Sequence, residues 1–361
     1  MSVSISELQP SSQGPHDRDV VVFFDDPGAR DFFEPVLPYL AADPGLRTRV
    51  VVGGYSKRTE HSLLNVEMRP IETEDEGEFN PVFIASGISA DPQSFKTLLD
   101  RFPDIPTLLA EDYYRASNGY FDRHIDYDHP LPDHILTIDE VAKNEIISRN
   151  GRNVIDLASR IEVSGHPALD YLADRTSIQT ERGLIRERLG LTSDDVLLSC
   201  FTSTGVTDLI KQFAEELGST CQNLKVAFHP HPRDTKHNIA LYERLFQDAD
   251  VKLCTTEGLN YRQMIAGADA VAVLPHSTVS LHAIGQGVPT FHIDTIKRSP
   301  EDAQVPVQYG LSQLVSPADF GAYMKGFSKK RYEMDLAPRS AAQKVAYRIG
   351  ELSSSISVEV V

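Results

Sequence analysis

The stretch His229-Pro230-His231-Pro232-Arg233-Asp234 sets two imidazoles, each followed by proline, beside a guanidinium. Proline disfavours helical backbone in the residue before it, so both histidines sit on extended chain and, two residues apart, point in similar directions. An imidazole near neutral pH can donate to a departing phosphate or protonate it. Arg233 can add a bidentate phosphate contact. Metal ligation by His229, His231 and His237 competes with this reading. No carboxylate or thiol stands at usual ligand spacing, however, and no metal is assigned. A structural His-Pro turn also accounts for the pattern.

A second constellation follows the apolar run Ala270–Leu274 and comprises Pro275, His276, Ser277, Thr278, Val279 and Ser280, opening a helix that carries His282. Hydroxyls and unpaired N–H groups at a helix start make a phosphate site. Capping alone needs one Ser or Thr, whereas three hydroxyls cluster here. Thr202-Ser203-Thr204-Gly205 after the run Val196–Phe201 offers a weaker anion cradle, which helix capping explains equally well.

Two further places lie in the N-terminal half. Glu111-Asp112 follows Thr107–Ala110, and adjacent carboxylates at a strand end can hold a general base for an alcohol; ordinary turn residues would read the same. Asp25, Asp26, Gly28 and Arg30 follow Asp19–Phe24, where glycine permits close approach of a ligand and a helix start favours an anion or sugar. A plain strand-to-helix turn with Asp as cap is the alternative.

These residues need a scaffold, and the chain of 361 residues is long enough for two domains. Apolar runs at Asp19–Phe24, Arg47–Val52, Pro81–Ser86, Thr107–Ala110 and His134–Thr137 alternate with helical patterns at Phe33–Ala42 (Pro38 a kink), Pro92–Phe102 and Glu140–Asn150. Continuous rather than alternating apolar strands mean burial on both faces, hence a parallel sheet flanked by helices. The alternation restarts after Pro167. Helices are predicted at Ile178–Leu189, Val206–Glu216, Asn260–Ala266 and Thr278–Gln286, with strands at Val196–Phe201, Lys225–Phe228, Ala270–Leu274 and Thr290–Ile293. The fold class is therefore α/β, two Rossmann-like doubly wound domains facing a cleft, with a hinge in Ile161–Asp170. The expected division is a disordered lead over 1–17, a first Rossmann-like domain over 18–165 and a second over 166–340. A final helix, 341–352, packs back onto the first domain in this scheme. Glu72–Glu78 is read as a solvated acidic loop.

A net charge of −17 argues against general nucleic-acid binding, which needs Lys and Arg to neutralise phosphates. No apolar run approaches the roughly 18 residues of a membrane span. Cys200, Cys221 and Cys254 lack metal or redox spacing, and a cytoplasmic location is expected. A homo-oligomer is compatible with the sequence.

Ala266-Gly267-Ala268-Asp269 through Pro289, with Ser277-Thr278-Val279-Ser280 and Gly287-x-Pro289, resembles the donor-binding segment of GT-B glycosyltransferases. Val163–Asp170 resembles the interdomain hinge of epimerases and lipid-linked sugar transferases of that fold. Bacterial sialyltransferases and capsule-type transferases combine an acidic pair, a His-Pro and a Ser/Thr pair, and Glu111-Asp112, His229-Pro230 (or His231-Pro232) and Ser277-Thr278 occur here in that order.

The resemblance implies a metal-independent inverting glycosyltransferase. The acidic pair would be the base, and His229 and His231 would face the leaving phosphate. Thr202, Ser203, Thr204, Gly205, Arg233, His276, Ser277, Thr278, Ser280 and His282 would hold a CMP- or UDP-type nucleotide-sugar, which is a substrate and not a cofactor. Asp25, Asp26, Gly28 and Arg30 would face a sugar or glycoconjugate acceptor. Two departures stand out. His282 occupies the place where relatives often carry a ribose-gripping Glu, and Tyr113 follows the acidic pair where they usually have Gly. UDP-sugar 2-epimerases share the architecture, but their opening Gly-Thr-Arg-Pro-Glu is only loosely matched by Asp25–Arg30. An epimerase and a non-catalytic nucleotide-sugar-binding protein are the alternatives.

Overall fold

The computed structural model describes residues 18–24, 27–52, 68–70, 81–87, 99–113, 121, 131–150, 156–173, 175–220, 223–275, 277–296, 312–327 and 340–355. The lead 1–17, Asp25, Asp26, Glu72–Glu78, most of Pro92–Phe102 and His276 lie outside these residues. The chain divides into two compact units: residues 1–112, 116–164 and 342–361 form the first, and 113–115 with 165–341 the second.

The first unit holds strands β1 (Arg18–Phe24), β2 (Leu46–Val52), β3 (Met68–Pro70), β4 (Pro81–Gly87), β5 (Thr107–Ala110), β6 (His134–Thr137) and β7 (Ile161–Val163). They form one sheet in the order β3-β2-β1-β4-β5-β6-β7, every pair parallel. Side chains of a strand alternate between faces. Accordingly Val20, Val22 and Phe24 of β1 enter one core cluster, and Val21 and Phe23 another. Both faces are buried, which is why the strand reads as an unbroken apolar run.

Helix 341–354 covers the first of these faces with Ala342, Val345, Ala346 and Ile349, the one-sided spacing of an amphipathic helix. Arg18 donates to Gly350 O at 3.0 Å, and Arg348 pairs with Glu162 at 2.9 Å, so the interior strand β1 and the edge strand β7 both hold this returning segment.

The helix expected over Phe33–Ala42 is instead two short ones, Pro27–Phe33 and Leu37–Ala41. Pro38 does not kink a continuous helix; it occupies the first turn of the second, where its missing N–H costs nothing. Gly28 and Arg30 consequently lie inside the first turn of the earlier helix, both half-buried.

The second unit holds β8 (Val196–Thr202), β9 (Leu224–His229), β10 (Lys252–Leu253), β11 (Ala270–Leu274), β12 (Thr290–Ile293) and β13 (Ser312–Val315). The order β10-β9-β8-β11-β12-β13, again all parallel, is that of the doubly wound dinucleotide-binding sheet. Leu198 and Cys200 of β8 and Ala270, Ala272 and Leu274 of β11 face one cluster. Leu197, Phe201, Val271 and Val273 face the other. The described helices of this unit are Arg175–Arg188, Thr207–Thr220, Lys236–Asp248, Tyr261–Gly267, Val279–Gly285 and Pro317–Lys325.

Candidate functional site

A doubly wound sheet binds ligands beyond the carboxyl ends of its strands, at the point where strand order reverses. In the second unit that point lies between β8 and β11. The chain leaving β8 runs through Thr202–Gly205, and that leaving β11 through Pro275–Thr278. The N–H of Ser203 donates to Leu274 O at 2.7 Å, tying the two loops together. β9, next to β8, delivers the His-Pro stretch to the same edge. Thus the β8, β9 and β11 loops, far apart in sequence, meet on one sheet edge.

The imidazoles are held differently. His229 is half-buried, its ring 5.6 Å from that of Phe201. His231 is fixed at two points: its N–H donates to Thr202 Oγ1 at 3.1 Å, and its ring Nδ1 accepts from Arg233 N–H at 3.1 Å. Because Nδ1 accepts, the ring proton of neutral His231 sits on Nε2, the atom left to donate. Burial lowers the pKa of both histidines; His231 adds to the effect on His229, and Arg233 to that on His231, with Asp234 opposing. They are therefore neutral donors at pH 7. Arg233 is exposed.

Burial redirects several expected ligand groups. Thr202 is 3% exposed, and its hydroxyl pins the His-Pro loop. Thr204 and Gly205 are exposed, and Gly205 takes φ +73°, a turn that glycine makes without strain. Beyond β11, Ser277 Oγ accepts from Val279 N–H at 3.3 Å, while the fully buried Ser280 donates its hydroxyl to Ser277 O at 2.8 Å. Ser280 therefore braces the turn and does not face a ligand. Thr278 makes no side-chain cap bond, which leaves its half-exposed hydroxyl as the ligand candidate of the three.

His282, expected at the donor, is buried, 1% exposed. Its ring lies 5.2 Å from Tyr261 and 6.4 Å from His166. Arg262 Nε donates to Tyr261 Oη at 2.9 Å, so the phenol proton is free to go to His282 Nε2 at 3.4 Å. Burial, then Arg262 and His166, hold the His282 pKa well below 6.5. The unfolded chain protonates this ring near 6.5 whereas the folded chain does not, so stability falls as pH drops through that value. The melting temperature should decline from about pH 6.5 toward 5, and His282→Phe should flatten that slope in a calorimetric pH series. An unchanged slope would exclude His282 as a source of the acid sensitivity.

Asp269, at the start of the donor-like segment, is structural. It is 3% exposed, pairs with Arg182 and with Arg186 (2.9 Å), and accepts from Leu197 N–H at 2.8 Å. Sequence reasoning missed Tyr261 and His292, and read His166 only as part of the hinge-like stretch Val163–Asp170. His292 gave no signal beyond a histidine in the run Thr290–Ile293, which core packing produces equally well.

In the first unit, Glu111 and Asp112 come at the carboxyl end of β5 and are 0% and 6% exposed. They are not surface turn residues, because Glu111 N–H donates to Leu136 O at 2.8 Å and so continues the ladder to β6. Tyr113 belongs to the second unit, where it is buried and within 3.4 Å of Ser280 Oγ. Burial raises its pKa, and the Ser280 hydrogen bond opposes the shift. Among the described residues no group of His, Cys, Asp or Glu is arranged to hold a metal ion, and no helix is long and apolar enough to cross a membrane.

Two all-parallel Rossmann-like sheets joined in this order match known structures over nearly the whole chain. UDP-GlcNAc 2-epimerase from Neisseria meningitidis bound to UDP-GlcNAc superposes with TM-score 0.66 at 13% identity, over 93% of this chain and 100% of that one. The chain has the GT-B fold. UDP-GlcNAc 2-epimerase from Methanocaldococcus jannaschii, in complex with UDP-GlcNAc and UDP, gives 0.65 at 14% identity over 92% and 99% of the two chains. Wall teichoic acid polymerase TagF with CDPG, also GT-B, gives 0.58 at 13% over 97% and 90%. No protein-family model matches the chain, and no curated protein matches it in sequence.

Proposed function

We propose that this chain is an inverting glycosyltransferase that moves a sugar from a nucleotide-sugar to an acceptor hydroxyl. The observation that carries the reading is that the loops after β8, β9 and β11, which bear Thr204, His231 and Thr278, reach the same edge of the second sheet, with His231 oriented as an Nε2–H donor. Neutral N–H and O–H donors there would bind the nucleotide phosphate and stabilise charge as it develops on the departing oxygen. No metal is invoked, since these donors take that role.

The acceptor oxygen attacks the anomeric carbon, the bond from that carbon to the phosphate oxygen breaks, and Glu111 or Asp112 takes the hydroxyl proton. Gly28 and Arg30 are assigned to the acceptor, and His229, Ser203, Gly205, Ser277 and Arg233 support the donor. Thr202, Ser280 and His282 shape the site from behind.

A nucleotide-sugar 2-epimerase is the second reading, favoured by the two epimerase structures, each matched along 99% or more of its own length. A thermal-shift panel of CMP, UDP, GDP and dTDP sugars tests the donor site, because a ligand bound only by the folded state raises the melting temperature. At 100 times Kd the gain is about 2.7 kcal/mol. No shift with any of them defeats the nucleotide-sugar reading. Deuterium incorporation at C2 of UDP-GlcNAc in deuterated water, without an acceptor, would favour epimerisation over transfer.

A further inference from the structure

We infer that His292 is a positioning residue for the nucleotide loop after β11, holding it through the carbonyl of Pro275; this rests on the donor-site reading above. β12 lies beside β11 with His292 level with Val273, and Phe291 and Ile293 on either side of it point into the core cluster on the far face. Alternation therefore turns His292 to the opposite face, the one that Val273, Ala283 and Val288 line. There it is 0% exposed, and its Nδ1 lies 2.9 Å from Pro275 O.

A carbonyl oxygen only accepts, so Nδ1 must carry a proton and donate it. Proline has no N–H, and its carbonyl is the single backbone group by which Pro275 can be tied down. Burying an imidazole in an apolar strand is unfavourable unless it is hydrogen-bonded, and a Val or Leu would fill such a position without that requirement. The bond to Pro275 gives the histidine its reason to be there. With Ser203 N–H on Leu274 O at 2.7 Å, it fixes consecutive carbonyls just before Ser277 and Thr278. The loop thus reaches its ligand already ordered, which lowers the entropic cost of binding.

The test compares His292→Asn, His292→Gln and His292→Leu. An asparagine amide nitrogen falls where Nδ1 stands, whereas a glutamine amide falls nearer Nε2. UDP and CDP, titrated calorimetrically, are the probes. The inference expects Asn to keep the affinity of the unsubstituted protein within about threefold, and Gln and Leu to lose about tenfold or more, the scale of one buried hydrogen bond. A 15N-histidine NMR spectrum of the unliganded protein should also show a slowly exchanging Nδ1–H that all three substitutions remove.

If Leu does not fold, the Asn–Gln contrast decides. Equal losses with Asn and Gln, full affinity with Leu or Gln, or absence of the Nδ1–H signal overturns the inference alone. Binding of neither UDP nor CDP by the unsubstituted protein, with no shift in the nucleotide-sugar panel, overturns the donor-site reading and this inference with it.

Discussion

If the chain is the proposed glycosyltransferase, substituting His231 by alanine is expected to lower turnover about 10²–10³-fold, the loss that follows when one preorganised donor to a developing oxyanion is removed. The size of the effect follows from how the ring is held. Its backbone N–H is fixed to Thr202 and its Nδ1 to Arg233 N–H, so Nε2–H keeps one direction before and during the reaction. A donor already in place costs no reorganisation as charge builds on the leaving phosphate. Steady-state kinetics of transfer, alongside UDP or CDP titration, separates the roles. If His231 acts on the developing charge, kcat falls and nucleotide affinity changes little. If it only binds ground-state phosphate, affinity falls by the same factor as kcat/KM and kcat is retained. His231→Gln should recover part of the rate, because its amide nitrogen can reach the place of Nε2; His231→Asn should not. An alanine variant with unaltered kcat and KM would remove His231 from the mechanism.

Gly285→Val is expected to produce a large loss of stability. A Cβ at Gly285 would lie 2.3 Å from Ala168 O and 3.2 Å from Ala168 C, so the obstacle is backbone and cannot swing aside. Overpacking a rigid core typically costs 1–3 kcal/mol, and against backbone about 3 kcal/mol is the expectation. For a unit of this size that is roughly 6–12 °C in melting temperature. The damage should reach the site, because helix Val279–Gly285 is held against the 3-10 segment Pro167–Ala173 by this approach and begins directly after Thr278. Gly183→Ala is the internal control. No atom lies within 4 Å of a Cβ there and the residue is helical, so alanine should add about 0.5–1 kcal/mol. Differential scanning calorimetry of both variants decides the point: a neutral Gly285→Val would mean that the 3-10 segment yields freely.

Local sequence carried much of the architecture. Strands such as Val196–Thr202 and Ala270–Leu274 were readable because parallel strands buried on both faces need unbroken apolar runs. The His-Pro stretch and the Ser277–Ser280 cluster announced themselves by residue type at strand ends. Helix Pro317–Lys325 was overlooked although Ser316, Pro317 and Asp319 spell a helix start, with Ser316 accepting from Asp319 N–H. Helix Lys236–Asp248 had a weaker signal, since Tyr242 and Phe246 are its only fully buried residues. β3 and β10, of three and two residues, were too short to show any period.

The fate of individual polar side chains was decided elsewhere. By sequence, Thr202, Thr204, Ser277, Thr278 and Ser280 are equivalent hydroxyls near helix starts. Three-dimensional packing gives Thr202 to the His231 N–H and Ser280 to a turn carbonyl, and leaves Thr204 exposed and Thr278 half-exposed. It also buries His282 beside Tyr261 and turns His292 toward Pro275. The chain by itself determined which segments become strands, and which chemistry stands at their ends. Strand order and burial determined which of those groups meet and which are already bonded, because such pairings join residues that only the assembled sheet brings within hydrogen-bond reach.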